Sequence, residues 1–289
     1  MRNDKLGIKK FLAAICAAGL LISGCGGDSG SKVDETSQAA ITKIGMITHL
    51  NASEKQMEEY LFKVQEKARA KVINHVPKFY DNLNLMVMGI EAGNVDQISV
   101  YKCVANYLTT NNSKYEIVQS DWVNGLEDNF CFAVKTEDAA LKADLDKIIG
   151  EMQTDGSLAK LINEYIINAE KGKTPPAIEL PKFDGAETIK IGVTGDLPPL
   201  DFVTADGKPA GFNTALLAEV AKRLNRNIEI IQIDSGARAA ALNSDQIDVV
   251  FWAIVPNSDV LPADIDKPAG IDLSTPYFKD EISHLKLKE

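Results

Sequence analysis

The sequence predicts an α/β protein with mostly parallel sheets, divided into two lobes. Three observations support this prediction. Strand and helix patterns alternate along residues 41–255, which favours βα units and parallel strands. The 289-residue chain is long enough for two lobes of ordinary size after an N-terminal leader. A segment with three prolines, 171–187, has no helical or strand period and is predicted to be a linker.

The region before this linker alternates strands with helices. The helix predicted for 51–72 has Asn51 or Ser53 as its N-cap, and its acids come early and its bases late, as the helix dipole favours. The segment 136–166 predicts two helices that break at Asp155–Gly156. The other predictions are strands at 41–48, 95–100, 115–120 and 129–135, a buried helix at 82–93 and a helix at 101–111.

The region after the linker repeats the alternation. We predict strands at 189–194, 228–233 and 248–255, and helices at 213–224 and 236–244. In such sheets a ligand lies outside the carboxyl ends of the strands, where helix N-termini face the cleft. Residue 189 has the pattern of a domain's first strand, yet it comes late in the chain. The order of the segments therefore needs an explanation.

The first 24 residues predict a secretory signal. Basic side chains precede the apolar run "FLAAICAAGLLI", which is too short to span a bilayer. The "ISGC" that ends at Cys25 resembles a bacterial lipobox, in which the cysteine is lipidated; an ordinary signal with a chance cysteine is the alternative. Residues 25–41 would then be a polar tether, and the body would be extracytoplasmic and anchored to the cell membrane at Cys25.

Composition limits the partners. The net charge of −10, which becomes more negative when the basic leader is removed, disfavours nucleic acid and anionic lipid surfaces as partners. The three histidines are far apart and no CxxC or HExxH spacing occurs, so we expect no metal site and no cofactor. Cys103 and Cys131 are expected to be small buried thiols, although an oxidising compartment would permit them to pair.

Residues 189–278 resemble the first lobe of the extracellular solute-binding proteins that serve ABC importers of polar amino acids. The matching pieces are "IGVTGDLPPLDF", "DGKPAGFNTALLAEVAKRLNRNIEII", "AALNSDQIDVVF" and "LSTPYF". The pieces "KIGMITHLNASE", "MGIEAGNVDQISVYKCVANYL" and "NFCFAVKTEDAALKADLDKIIGEMQTDGSLAKLINEYI" resemble that family's second lobe and closing helices. The resemblance implies a two-lobed, type II periplasmic-binding-protein (Venus flytrap) fold.

The order of these pieces suggests a circular permutation. Residues 42–128 would form the second lobe, and 129–170 the return strand and the closing helices that pack on the first lobe. Residues 171–187 would join the old ends, and 188–289 would form the first lobe and a hinge-crossing strand. A tandem fusion of two broken relatives is the alternative, in which each half would expose an incomplete core.

The resemblance places the ligand between the lobes. The residues that it and the strand ends place at the cleft are Asp196, Leu197, Asp201, Asn213, Ser235, Arg238, Trp252 and Ala253 from the first lobe, and Thr48, Asn51, Ala52, Ser53 and Tyr101 from the second. Asp201 could instead serve turn chemistry, Asn213 could be only a helix N-cap, and Trp252 could be core.

The chain departs from the family's amino-acid clamp. The segment after Val255 lacks the Thr-x-x-Arg whose arginine holds the α-carboxylate, and Tyr101 stands where the family places an ammonium-binding aspartate. Arg238 stands in the first turn of a helix, where the helix dipole disfavours a positive charge unless a ligand carboxylate compensates it. The alternatives are an exposed arginine or one paired with Asp234.

These features predict a monomeric, lipid-anchored receptor rather than an enzyme. It would bind a small polar or carboxylate-bearing solute in the interlobe cleft and hand it to an ABC permease in the membrane. A sensory or scaffold protein of the same fold, which signals to a membrane partner, is the alternative function. An enzyme would need a converging acid and base, and the sequence offers no histidine in the expected cleft.

Overall fold

The computed structural model describes residues 41–68, 74–119, 125–169 and 175–289. They belong to one compact unit, Ala39–Glu289. The predicted signal segment 1–24, the predicted lipidation site Cys25, the predicted tether up to residue 40 and the start of the linker lie outside the described residues. No helix within the described ranges is long and apolar enough to cross a membrane.

The second lobe is built on three parallel strands in the order β2-β1-β3. The last strand of the chain, β13, runs antiparallel to β3, and β4 pairs with β13. Helices α1, α2 and α3 accompany this sheet. The bounds are β1 Ile41–Ile47, α1 Glu54–Lys67, β2 Asn74–Tyr80, α2 Leu83–Glu91, β3 Gln97–Tyr101, α3 Lys102–Asn111, β4 Tyr115–Ile117 and β13 Phe278–Leu287.

The first lobe repeats this plan. Its parallel strands lie in the order β10-β6-β11, β5 runs antiparallel to β11, and β12 pairs with β5. A separate three-stranded sheet, β7-β8-β9, follows β6. The bounds are β5 Glu127–Lys135, β6 Thr188–Val193, β7 Asp196–Leu197, β8 Asp201–Val203, β9 Pro209–Ala210, α6 Phe212–Leu224, β10 Asn227–Gln232, α7 Arg238–Asn243, β11 Val249–Asn257 and β12 Ile271–Leu273.

Strands β5 and β13 connect the lobes. They pair with each other over 127–130 and 278–281, so that ten strands of the described residues form one continuous sheet. β5 follows second-lobe elements in the chain but adds to the first-lobe sheet, and β13 does the reverse. The predicted α/β class and the two-lobed, type II periplasmic-binding-protein fold are confirmed, and β5 and β13 are the two crossing strands. The expectation of mostly parallel sheets is wrong: among the described residues four strand pairs are parallel and seven are antiparallel, because the crossing strands and β7–β9 add antiparallel pairs.

The closing helices α4 (Ala139–Thr154) and α5 (Ser157–Ile162) pack on the first lobe, against α6. Gly156, between them, has φ +78°, which explains the predicted break at Asp155–Gly156. Arg223 of α6 donates from Nη2 to Asp155 at 2.7 Å and to the Ser157 hydroxyl at 3.1 Å. These bonds fasten the two-helix segment to the lobe that lies after it in the chain.

Aromatic side chains fill the core where β5 meets the first lobe. Phe130, Phe132, Phe212 and Phe251 are all buried, and Tyr277 donates its hydroxyl hydrogen to the Phe251 carbonyl at 2.7 Å. Since these residues come from β5, α6 and β11, the core includes segments from both sides of the linker. As expected, Cys103 and Cys131 are both buried.

Two elements differ from the sequence analysis. Strand β2 is not predicted, because Pro77 interrupts the alternation of its residues. Proline is tolerated there because β2 is the edge strand of the sheet. Helix α2 was predicted to be buried throughout, but Leu85 and Met88 are 46% and 64% exposed. Its sequence is apolar on both faces, and such a pattern cannot reveal which face meets solvent.

Candidate functional site

A cavity of about 80 Å³ lies between the two lobes, at the ends of the parallel strands. Most of its wall is apolar, and it is formed by both lobes and by β13. The apolar lining includes Ile47, Val100, Leu197, Trp252, Ile254 and Ile282. The polar lining consists of Thr48, His49, Tyr101, Asp128, Arg238 and Asp266, together with Ser99.

Arg238 is the cation of this cavity. It opens the short helix α7 and is only 3% exposed. Its guanidinium donates from Nε to the Ser235 carbonyl at 3.1 Å, from Nη1 to the Trp252 carbonyl, and from Nη2 across the cleft to the Thr48 carbonyl at 3.0 Å. Because a guanidinium carries five N–H groups, two remain for a ligand.

The charge of Arg238 lacks a close counter-ion. Arg238 is buried and not exposed. Among the described residues no carboxylate lies within ion-pair distance of it, so it is not paired with Asp234 either. Burial lowers its pKa, and the more distant charge of Asp266 acts in the opposite direction. Its guanidinium lies 5.4 Å from the centre of the Trp252 ring, which provides some cation–π stabilisation.

Tyr101 and Asp128 form a second polar pair in the wall. The Tyr101 hydroxyl donates to Asp128 Oδ2 at 2.7 Å, and both residues are buried. Burial raises the pKa of the Asp128 carboxyl, and the hydrogen bond from Tyr101 partly offsets that. The Tyr101 ring packs edge-on against Trp252, at 5.7 Å between ring centres. Asp128 was not among the predicted residues.

Asp266 is the third buried polar group of the wall. It comes from the loop between β11 and β12, and its Oδ1 accepts from the backbone N–H groups of Asn51 at 2.7 Å and Ala52 at 3.2 Å, just before α1. His49 Nδ1 lies 3.7 Å from Asp266 Oδ2, and since His49 lines the cavity, the expectation of a cleft without histidine is wrong. Burial opposes ionisation of Asp266, but these partners outweigh it and lower the pKa of its carboxyl.

Five predicted site residues line the cavity, namely Thr48, Tyr101, Leu197, Arg238 and Trp252. The Nε1 of Trp252 is buried and has no hydrogen-bond partner among the residues that the structure describes, so the indole presents an unsatisfied donor near the Arg238 guanidinium. Ring stacking on Phe130, at 5.9 Å, holds the indole on its other side. Trp252 therefore contacts both the core and the cavity, and the two alternatives considered for it are not exclusive.

Three predicted residues lie beside the cavity and bridge or support the lobes. Asp196 accepts at Oδ2 from the N–H of Asn84, at the start of α2, at 2.8 Å. Asp201 is buried and accepts from the Gly195 N–H at 2.9 Å. Ser235 is buried, and its N–H donates across the cleft to the Asp81 carbonyl at 2.9 Å.

The remaining predicted residues do not line the cavity. Asn213 is buried within α6, and the N-cap of that helix is Gly211 rather than Asn213 as one alternative supposed. Ala253 is buried in β11. Ser53 is the N-cap of α1 and forms a capping box with Gln56. Asn51 and Ala52 direct their N–H groups to Asp266 instead of into free space.

Comparison with known families concerns the later part of the chain. Residues 189–283 match the model of the bacterial extracellular solute-binding proteins, family 3. A protein of Campylobacter jejuni named as a probable histidine-binding protein is 29% identical over 101 residues, which are 35% of this chain and 36% of that protein. The probable arginine-binding protein ArtJ of Chlamydia trachomatis is 26% identical over 102 residues, 35% of this chain and 37% of its own length.

A third relative, the L-cystine-binding protein TcyJ of Escherichia coli, is 29% identical over 101 residues, 35% of each chain. The chain thus spans little more than a third of the length of the curated relatives it matches. Among solved structures, the ligand-binding component of an ABC-type import system from Staphylococcus aureus aligns with a TM-score of 0.43 at 10% identity, over 86% of this chain and 66% of that one. An arginine-bound ancestral arginine-binding protein aligns with a TM-score of 0.37 at 12% identity, over 86% and 85%.

Proposed function

We propose that the whole chain is an extracytoplasmic solute receptor, because residues 189–283 match the model of the bacterial extracellular solute-binding proteins, family 3. It binds a small carboxylate-bearing solute between its lobes and delivers it to an ABC permease in the membrane. The relatives are named as histidine-, arginine- and cystine-binding proteins, which supports binding rather than catalysis and makes amino acids the first candidates.

The observation that carries this proposal is Arg238. A buried guanidinium that lines a cavity without a close counter-ion is costly, and a ligand carboxylate would offset that cost. Two of its N–H groups remain for a bidentate or paired contact, and the unsatisfied Trp252 Nε1 lies in the same wall. The apolar remainder of the lining suits an apolar ligand body.

Lobe closure supplies the mechanism. A ligand that contacts both walls favours the closed arrangement over an open one by its differential affinity for the two. Arg238 itself contacts both lobes through Ser235 and Thr48, so a carboxylate that orders its side chain also favours closure. The permease would then distinguish loaded from empty receptor by the relative position of the lobes.

The test is a thermal-shift screen of amino acids, carboxylates, nucleosides and aromatic metabolites, followed by titration of Arg238 variants. A ligand at 100 times its dissociation constant adds about 2.7 kcal/mol to stability. Arg238→Ala should weaken binding of the best ligand by about 1.5–3 kcal/mol, and Arg238→Lys should recover only part of it.

Arg223→Ala is the matched control, because Arg223 contacts Asp155 and Ser157 away from the cavity. It should leave ligand affinity unchanged. If Arg238→Ala remains folded by circular dichroism and binds the ligand as tightly as the parent does, the carboxylate role of Arg238 is wrong.

We propose in addition that the receptor is held at the membrane by a lipid on Cys25. Replacement of this thiol by a hydroxyl removes the side chain that would be acylated, and the polar tether that follows it cannot anchor the protein in a membrane. Cys25→Ser should therefore move the protein from the membrane fraction to the soluble fraction. Cys16→Ser, within the predicted signal, should leave the distribution as in the parent, and equal retention of both variants would contradict anchoring at Cys25.

A further inference from the structure

The loop between β11 and β12, residues 258–270, reaches from the first lobe to the second. Asp266 meets the start of α1, and Asp259 forms an ion pair with Lys67 at the last residue of the same helix. Between them, Ile265 packs in a cluster with Met57 of α1. The loop that lacks the family's carboxylate-binding arginine thus lies along the whole length of a second-lobe helix.

The carboxylate of Asp266 occupies the start of that helix. It accepts from the backbone N–H groups of Asn51 and Ala52, is only 2% exposed, and faces the same cavity as Arg238. Such helix N-termini attract anions, because unpaired N–H groups and the helix dipole point toward them. Here the chain itself supplies the anion from the opposite lobe.

We propose that Asp266 determines the specificity of the cavity. Its negative charge already occupies the backbone N–H groups at the start of α1, where a ligand anion could otherwise bind. The cavity therefore admits a solute with one carboxylate, held at Arg238, and rejects a solute with a second carboxylate. Asp128, a further buried carboxyl group in the same wall, adds to that effect. The inference rests on the proposed function, since it concerns which solute that function selects.

Two isosteric pairs of solutes test the proposal: leucine with aspartate, and 4-methylpentanoate with succinate. In each pair an isopropyl group is replaced by a carboxylate of similar shape, so the change in the affinity ratio between the parent and the Asp266 variants reports the effect of the Asp266 charge. We would measure binding by calorimetry to the full-length parent, Asp266→Ala, Asp266→Asn and the control Asp259→Ala, whose altered side chain is on the exposed part of the same loop.

We expect the parent to bind the one-carboxylate member of a pair at least tenfold more tightly than its partner. Asp266→Ala should reduce that ratio at least tenfold, because the vacated N–H groups of Asn51 and Ala52 can donate to the second carboxylate. Asp266→Asn, which keeps the acceptor but not the charge, should reduce it less and serves if the alanine variant fails to fold. Asp259→Ala should keep the parent's ratio.

The outcomes separate this inference from the proposed function. If the parent binds both members of a pair equally, or if the Asp266 variants keep the parent's ratio, the role of Asp266 is wrong while the receptor function stands. If the parent binds neither pair nor any solute of the wider screen, the proposed function is wrong and this inference fails with it. Amide hydrogen exchange in the ligand-free protein gives a further check, since exchange at Asn51 and Ala52 should accelerate in Asp266→Ala and not in Asp259→Ala.

Discussion

Asp201 links the folding of the first lobe to pH. Its carboxyl is buried behind the cavity and accepts from Gly195 N–H and, at 3.4 Å, from the Thr194 hydroxyl. Burial raises its pKa to about 6, which these hydrogen bonds only partly oppose. Since the ordinary pKa of an aspartate is near 3.8, the folded protein holds this proton over a pH range in which the unfolded chain has lost it.

The sign of the pH effect follows from this difference. Between about pH 4 and pH 6 the folded state binds more protons than the unfolded state, so Asp201 lowers stability as pH rises. Asp201→Asn cannot ionise, and its stability relative to the parent should increase by about 2 kcal/mol between pH 4 and pH 7. Denaturant unfolding of both proteins across this range measures the difference.

Asp206→Asn is the control for this prediction. The exposed Asp206 accepts from the Thr204 hydroxyl at 2.6 Å, which lowers the pKa of its carboxyl. Its replacement should therefore give a small pH effect of the opposite sign. A stability difference between Asp201→Asn and the parent that does not change with pH would contradict a raised pKa for Asp201.

At the level of single residues, the sequence could identify site residues that stand at strand ends, but it could not identify those that a loop carries across from the other lobe. Thr48 and Tyr101 line the cavity because each stands at the carboxyl end of a parallel strand, a position that hydrophobic patterning locates. Trp252 also lines it, but from the middle of β11, where the pairing with β5 shifts register between Val250 and Ala253. Asp128 and Asp266 were missed for different reasons. Asp128 looked like the polar flank of a strand, and Asp266 reaches the site through a loop whose path no local pattern specifies.

At the level of elements, the strands and helices with strong periodicity were predicted within a few residues. Helix α1 begins after Ser53, one of the two predicted N-caps, because Ser53 and Gln56 form the capping box. Strand β2 was missed at Pro77, and the exposed face of α2 was missed because Leu85 and Met88 are as apolar as its buried face. In both cases tertiary context, an edge position or an uncovered face, decides what the local sequence leaves open.

The small elements near the cleft illustrate the same limit. Asp196 lies in β7 and meets the start of α2 in the other lobe, whereas the sequence predicted that it follows a strand and contacts the ligand at the cleft. The N-cap of α6 is Gly211, with φ +96°, at a place where a Cβ would meet the Pro199 and Leu200 carbonyl oxygens at 2.8 Å. Asn213 therefore begins no helix, although asparagine is a favoured N-cap.

At the level of the whole molecule, the order of the segments in the chain supports the proposal of a circular permutation. The elements of the second lobe come first, β5 then crosses to the first lobe, and β13 crosses back after the first-lobe elements. In the continuous sheet β5 lies between β11 and β13, and β13 lies between β5 and β3, so each lobe's sheet includes a strand from the other half of the chain. The alternative, two incomplete relatives in tandem, would not require this exchange.

The two halves of the chain are therefore expected to depend on each other for folding. A fragment of residues 42–170 contains β5, α4 and α5 without the first-lobe strands and the α6 surface on which they pack. A fragment of residues 186–289 contains β13 without its partners β3 and β4. Each fragment would expose apolar core, including Phe130 and Phe132 in one and Phe212 and Phe251 in the other.

We predict that the intact chain unfolds in one cooperative transition and that neither fragment alone gives a native-like spectrum. The physical reason is that the buried aromatic cluster takes Phe132 from one fragment and Phe251 and Tyr277 from the other, with ring centres 4.8–5.1 Å apart. Denaturant unfolding followed by both far-UV and near-UV circular dichroism tests cooperativity, and the same spectra of the separate fragments test their independence. Mixing the fragments should restore part of the near-UV signal, since the aromatic contacts then re-form between chains. Two fragments that each fold with their own sharp transition would favour the tandem alternative and contradict the permutation.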